Sequence, residues 1–163
     1  MRKIYQKGLA SLILANMCLN LHAQPAQNGH AIIHGAEGDS TTPMELTGEA
    51  IVLKEGKAGV FSTQIVGSLQ ESGVYVTRVR LAPNAKNDPH FHPDGRFTTV
   101  IAGTIYYGRG NVVDTELAHV FHAGDVYYTP AETAHWLYAG ADGAVYDEVG
   151  FGPSSATPVA PNK

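Results

Sequence analysis

Cysteine is almost missing from this chain, basic residues are few, and no apolar stretch is both long and unbroken. The one cysteine, Cys18, lies near the N-terminus, so no disulfide framework holds the fold. Charged residues make up 16% of the 163, and beyond Arg2, Lys3 and Lys7 at the N-terminus Lys and Arg do not cluster. A domain without a basic patch is a poor candidate for a reader of nucleic acid or of anionic membrane surfaces. The longest apolar stretch, Leu9 to Leu21, is interrupted by Asn16 and Asn20 and falls short of the roughly 20 residues that a spanning helix needs. A sustained helical period is missing as well, and there is no internal repeat. What remains is 44% hydrophobic residues in a length that fits one domain, which excludes a disordered polymer.

The first residues read as a secretory signal. Arg2, Lys3 and Lys7 precede the apolar stretch, and Leu21-His22-Ala23 ends on the small residue a signal peptidase requires at the cut. Residues 1–23 are therefore expected to be removed, with Ala26 as the alternative cleavage point, and the product is expected in the periplasm or outside the cell. That cut leaves a chain without cysteine. It takes away three positive charges and no acidic one, moving the formal charge from −4 to −7. Partners for such an acidic domain are small molecules, with no membrane association once the signal is gone.

Residues 24–46 are small and polar and predict a flexible leader. Short β-branched and aromatic runs follow. The clearest strand runs from Val74 to Leu81, where Tyr75, Thr77, Val79 and Leu81 alternate with Val74, Val76, Arg78 and Arg80. Ala50–Leu53, Thr63–Leu69, Phe97–Ile101, Thr104–Tyr107, Asp125–Thr129 and Ala144–Val149 read as further strands. Asn84, Pro93-Asp94-Gly95, Gly103, Gly108–Gly110, Gly124, Pro130 and Gly140–Gly143 read as the turns between them. Short strands at this spacing predict an antiparallel all-β sandwich or small closed barrel over about 47–153. Residues 154–163 read as a disordered tail.

Seven of the eight histidines lie beyond the signal. His30 and His34 fall in the leader, while His119 and His122 flank a turn with nothing nearby that asks for a metal. His90 and His92 stand two apart, which on a strand points both imidazoles to one face. His135 opens another β-like run after Pro130. A lone His-x-His is a weak signal, so the surrounding residues decide the matter.

Those residues resemble the cupin superfamily over most of the chain. The first cupin motif is a glycine, five residues, His-x-His, three or four residues, a glutamate, six residues and a glycine. Here Asn84, His90, His92, Arg96 and Gly103 stand in that register. The second motif is a glycine, five residues, proline, one residue, glycine, two residues and histidine, matched by Gly124, Pro130, Glu132 and His135. Val145–Pro153 is similar to the last strand of small bacterial single-domain cupins. The resemblance implies an antiparallel jelly-roll β-barrel and one divalent metal ion held by His90, His92 and His135 inside it. Iron is the first expectation, with manganese, nickel, copper or zinc compatible with imidazole ligands. It also implies a homodimer formed edge to edge.

Arg96 departs from the motif most, putting a permanent cation where the family has an anionic ligand. Three readings stand open. Arg96 grips a substrate carboxylate beside a three-histidine metal; or it pairs with an acidic residue or turns to solvent while the metal stays; or the metal is lost. On the first two readings, Arg96→Glu is expected to tighten metal binding by restoring the ligand. Arg96 and Glu148, the latter as base or as orienter of a ligand, are the candidate catalytic residues. Thr98, Val100 and Leu137 are expected to line the cavity by parity. Two functions follow from the resemblance: a dioxygenase-type or related metal-dependent enzyme acting on a small oxygen-rich molecule, or a binding protein that holds a metal or small ligand without turnover.

Overall fold

Strand alternation positions everything that follows. The computed structural model describes residues 46–160; the expected signal and nearly all of the leader, with His30 and His34, lie outside them. The described chain is built of strands β1 (Lys54–Lys57), β2 (Val60–Val66), β3 (Gly73–Leu81), β4 (Lys86–Phe91) and β5 (Arg96–Arg109), followed by β6 (His119–His122), β7 (Val126–Thr129), β8 (His135–Gly152) and β9 (Thr157–Pro158). In β3 the residues Tyr75, Thr77, Val79 and Leu81 are buried and their neighbours are not, as the period of two requires.

All pairings are antiparallel, and two long strands organise them. The second half of β8 lies between β3 and β5, with Gly73 opposite Gly152 and Arg96 opposite Gly150. Its first half lies between β4 and β5, with His90 and Arg109 both opposite His135. β5 in turn pairs β7 along its start and β6 along its end. The sheet thus curls on itself into an antiparallel jelly-roll barrel. Val79, Leu81, Val100, Ile105, Leu137 and Tyr146 are among the residues that fill it.

Two expected turns are bends within strands. Gly103 and the Gly140–Gly143 stretch lie inside β5 and β8, where the β5–β8 register shifts between Val100 and Ala102 and again between Gly103 and Ile105. Gly103 has φ 75° and Gly143 φ 76°, and a Cβ on Gly103 would stand 2.1 Å from the Gly143 carbonyl oxygen. The glycines permit a close approach that lets each strand serve both halves of the barrel. At the N-terminal edge the apolar run 50–53 is not a strand: Gly48–Ala50 form a 3-10 turn, and β1 begins only at the polar Lys54.

A second correction concerns the C-terminus. Residues 154–160 are not a loose tail. β9 pairs with β4, setting Pro158 opposite His90 and Thr157 opposite Phe91; the Val159 amide donates to the Pro89 carbonyl at 2.9 Å, and the Ser154 amide to Leu69 at 2.7 Å. Small polar residues conceal this role, because their anchoring comes from backbone pairing and not from apolar burial.

The motif positions that are glycine in the family share one conformation here. Gly103 and Gly124 have positive φ, and so do Asn84 (φ 59°) and Glu132 (φ 57°). Asn tolerates this region; Glu does not, at about 1–2 kcal/mol. Glu132 is exposed and its amide donates to the His92 carbonyl at 2.8 Å, so the strained turn ties the two motifs together. Glu132→Gly should therefore stabilise the protein by up to about 1 kcal/mol, the relief of strain exceeding the extra chain entropy of glycine, as read by urea denaturation.

Candidate metal centre

His90 ends up beside His135 because β4 and β8 pair at those residues, and His92 follows just beyond β4. The three rings have centroids 4.4–5.3 Å apart. One ligand nitrogen from each lies within 4.8 Å of the others, and all three side chains are buried.

The outer nitrogen of every ring is tied to a carbonyl. His90 Nδ1 donates to Asp88 O at 2.7 Å, His135 Nδ1 to Thr133 O at 2.8 Å, and His92 Nδ1 to Ser155 O at 2.7 Å. A carbonyl only accepts, so each Nδ1 carries the proton and each Nε2 keeps its lone pair for the interior. His92 Nε2 is buried without a hydrogen-bond partner. Three inward lone pairs backed by carbonyl-bound N–H groups are the donor set that a divalent transition metal takes, so these residues fit the metal expected from the sequence.

Burial supports the same protonation state. Desolvation, followed by the nearby Arg96 charge, pushes His92 down to about 3. Desolvation, with His90 and Arg96 adding to it, pushes His135 to about 4, and His90 is lowered chiefly by burial as well. A histidine held neutral in the folded state but free to protonate when unfolded stabilises the protein above about pH 6.5, the unfolded value. That contribution shrinks as pH falls from there toward the folded values near 4 and 3. The metal-free protein should thus lose melting temperature steadily between pH 7 and pH 4. His92→Ala should flatten that slope, which thermal scans across the pH series would measure.

A cavity of about 180 Å³ adjoins the histidines, walled by His90, His92, Thr77, Tyr146, Glu148 and Ser154 among others. Glu148 is its one carboxylate, and Thr77 contributes a buried hydroxyl without a partner. Thr98, Val100 and Leu137 do point inward, as parity requires, but they pack in the core and do not line this cavity.

Arg96 lines the cavity, yet its guanidinium is already engaged. Nη2 donates to Asp94 Oδ1 and to Ser154 Oγ, each at 2.7 Å, and Nη1 donates to Glu148 Oε2 at 3.2 Å. The residue is 3% exposed. Asp94 also accepts from the hydroxyls of Ser154 and Tyr75. Burial opposes ionisation of Asp94, but these hydroxyls and the guanidinium outweigh it and hold the carboxyl below its usual range. Of the three readings of Arg96, the structure draws the pairing with acidic residues through Nη1 and Nη2, while Nε is buried without a partner. One cation faces two carboxylates, so its repulsion of a nearby metal ion is more than offset.

Of the candidate site residues, His90, His92 and His135 stand together, and Arg96 and Glu148 line the adjoining cavity with His90 and His92. Sequence reasoning missed Asp94 and Ser154. Asp94 was legible by the parity that joined His90 to His92, since it lies two residues before Arg96; Ser154 carried no such signal. His119 and His122 lie on β6, exposed and apart from the centre.

The cupin domain family matches residues 77–146. Germin-like protein 8-5 of Oryza sativa subsp. japonica is 27% identical over 77% of this chain and 59% of its own length, so the chain spans less than two thirds of that relative. Among solved structures, the polyketide cyclase RemF from Streptomyces resistomycificus superposes with a TM-score of 0.61 at 13% identity, covering 75% of this chain and 89% of that one. KdgF from Halomonas sp. does so with a TM-score of 0.56 at 14% identity, covering 68% and 94%; at such identities these two bear on the fold alone. Residues 77–146 thus match a cupin domain, and the group formed by His90, His92 and His135 can hold a metal ion. Among the described residues no helix is long and apolar enough to cross a membrane.

Proposed function

We propose that this protein is an exported metal-dependent cupin enzyme, of the dioxygenase type or closely related to it, acting on a small oxygen-rich molecule. The observation that carries this reading is the convergence of three neutral Nε2 donors beside a small cavity. His90, His92 and His135 would hold the ion, iron first among the metals that imidazole suits. When bound, such an ion supplies Lewis acidity and, for the redox-active metals, electron transfer with dioxygen.

The remaining roles belong to the chain. Arg96 holds Glu148 by Oε2, which leaves the other carboxylate oxygen to take a proton from a substrate hydroxyl. The Thr77 hydroxyl offers a hydrogen bond to a bound ligand. A cavity of about 180 Å³ suits a small ligand. Export rests on the basic and apolar N-terminal pattern ending at Ala23.

One observation favours a second reading, a cupin that holds a metal or ligand without turning it over. With Arg96 engaged, the cavity wall carries no free cation to grip an anionic substrate.

Elemental analysis of the untagged mature protein, followed by oxygen-uptake assays with catechols, enediols, β-diketones and hydroxy acids, separates the two. Near-stoichiometric iron with substrate-dependent uptake supports the enzyme. Stoichiometric metal with no uptake supports the binding protein. The absence of metal after reconstitution would overturn the enzyme and leave of the second reading only a barrel that holds a small ligand without metal. N-terminal sequencing of the exported product checks the cut.

A further inference from the structure

The three histidines are not held in the same way. His90 and His135 take their carbonyl partners from two residues earlier in the chain, Asp88 and Thr133. His92 takes its partner from Ser155, 63 residues further on. That carbonyl belongs to the segment that closes the barrel after β8. The segment is fixed at the site by Ser154, whose side chain is buried between Arg96 and Asp94, and by β9 against β4. Arg96 is the hub, since the one guanidinium reaches Asp94, Ser154 and Glu148.

We infer that Arg96 is a positioning residue for the metal centre, acting through Ser154 and Ser155 to fix the ring and tautomer of His92, and that the C-terminal segment 154–158 is a working part of the site. The inference rests on the metal-centre reading for its consequence, but not for its geometry. The position that supplies an anionic ligand in the family's motif instead anchors the strap that orients a neutral one. An outer partner of this kind sets which nitrogen faces the metal, and its loss costs about 10–100-fold in metal affinity. The carbonyl two residues before His92 is that of His90, a residue that pairs with His135 on one side and Pro158 on the other.

The test uses the full mature chain, with Ser154→Ala and Arg96→Met beside the wild type. Long-range proton–nitrogen NMR of the metal-free proteins reads the tautomer of each histidine, and competition with a chromophoric chelator reads zinc affinity. In the wild type all three rings should carry the proton on Nδ1. In both variants His92 alone should become a mixture of tautomers, while His90 and His135 stay as they were, and zinc affinity should fall about 10–100-fold.

A purely structural role would lower the melting temperature without singling out His92. If Arg96→Met fails to fold, Ser154→Ala carries the test, because it leaves the Arg96 bonds to Asp94 and Glu148 in place. An unchanged His92 tautomer in Ser154→Ala overturns the inference, whatever happens to zinc. A wild type that binds no zinc overturns the metal-centre reading, and a selective change at His92 would still uphold the positioning role.

Discussion

His135→Ala should leave the protein with almost no bound metal. Removing one of three ligands takes away more than an outer hydrogen bond does, so the loss of affinity should exceed about 100-fold. The geometry gives His135 no understudy. Among the described residues the group able to hold an ion consists of His90, His92 and His135, and no carboxylate joins them because Arg96 occupies the motif's acidic position. Elemental analysis of wild type and variant, purified identically, reads the result. His135 is 2% exposed and stacks on Tyr107 at 5.6 Å between centroids, so the variant should also lose about 1–3 kcal/mol of stability. His135→Gln separates the two effects, since it fills more of the space yet offers a poor ligand. If His135→Ala keeps full metal content, the three-histidine centre is wrong.

The centre was legible in the sequence because its information is local. The two-residue spacing of His90 and His92 fixes a common face, and the spacing of Gly124, Pro130 and His135 fixes a turn followed by a strand. Asn84 in a glycine position was readable for the same reason, since its left-handed φ is one that Asn accepts. Glu132 in the other glycine position gave no such hint, and its strain shows only in the structure.

What escaped was long-range. Gly103 and Gly143 read as turn residues, and only their mutual approach across β5 and β8 shows that they bend continuous strands. The polar stretch after Pro153 has the composition of a tail, yet its amides and carbonyls find partners in β4, Leu69 and His92. Composition reports apolar burial, and this segment is held by hydrogen bonds instead. Arg96 stood out in the sequence as the largest departure from the motif. Its meaning depended on Ser154, 58 residues away, which no spacing rule connects to it.

That dependence reverses the expectation for Arg96→Glu. Considered alone, the substitution restores an anionic ligand and should tighten the metal. In the structure it would set a third carboxylate against Asp94 and Glu148, whose side chains are only 10% and 13% exposed. Both would lose their cation at once, and Ser154 would lose a donor. Removing one partner of a buried ion pair costs about 3–5 kcal/mol, a large share of the 5–15 kcal/mol that holds a typical domain together. We expect Arg96→Glu to lower the urea midpoint sharply and to weaken zinc binding, because the strap that orients His92 is released. Adding Asp94→Asn and Glu148→Gln should recover much of the lost stability, since repulsion among carboxylates is the cause. An Arg96→Glu protein with an undiminished midpoint and tighter zinc binding would show instead that the acidic ligand is what this barrel lacks, and that the pairing around Arg96 only shelters a displaced charge.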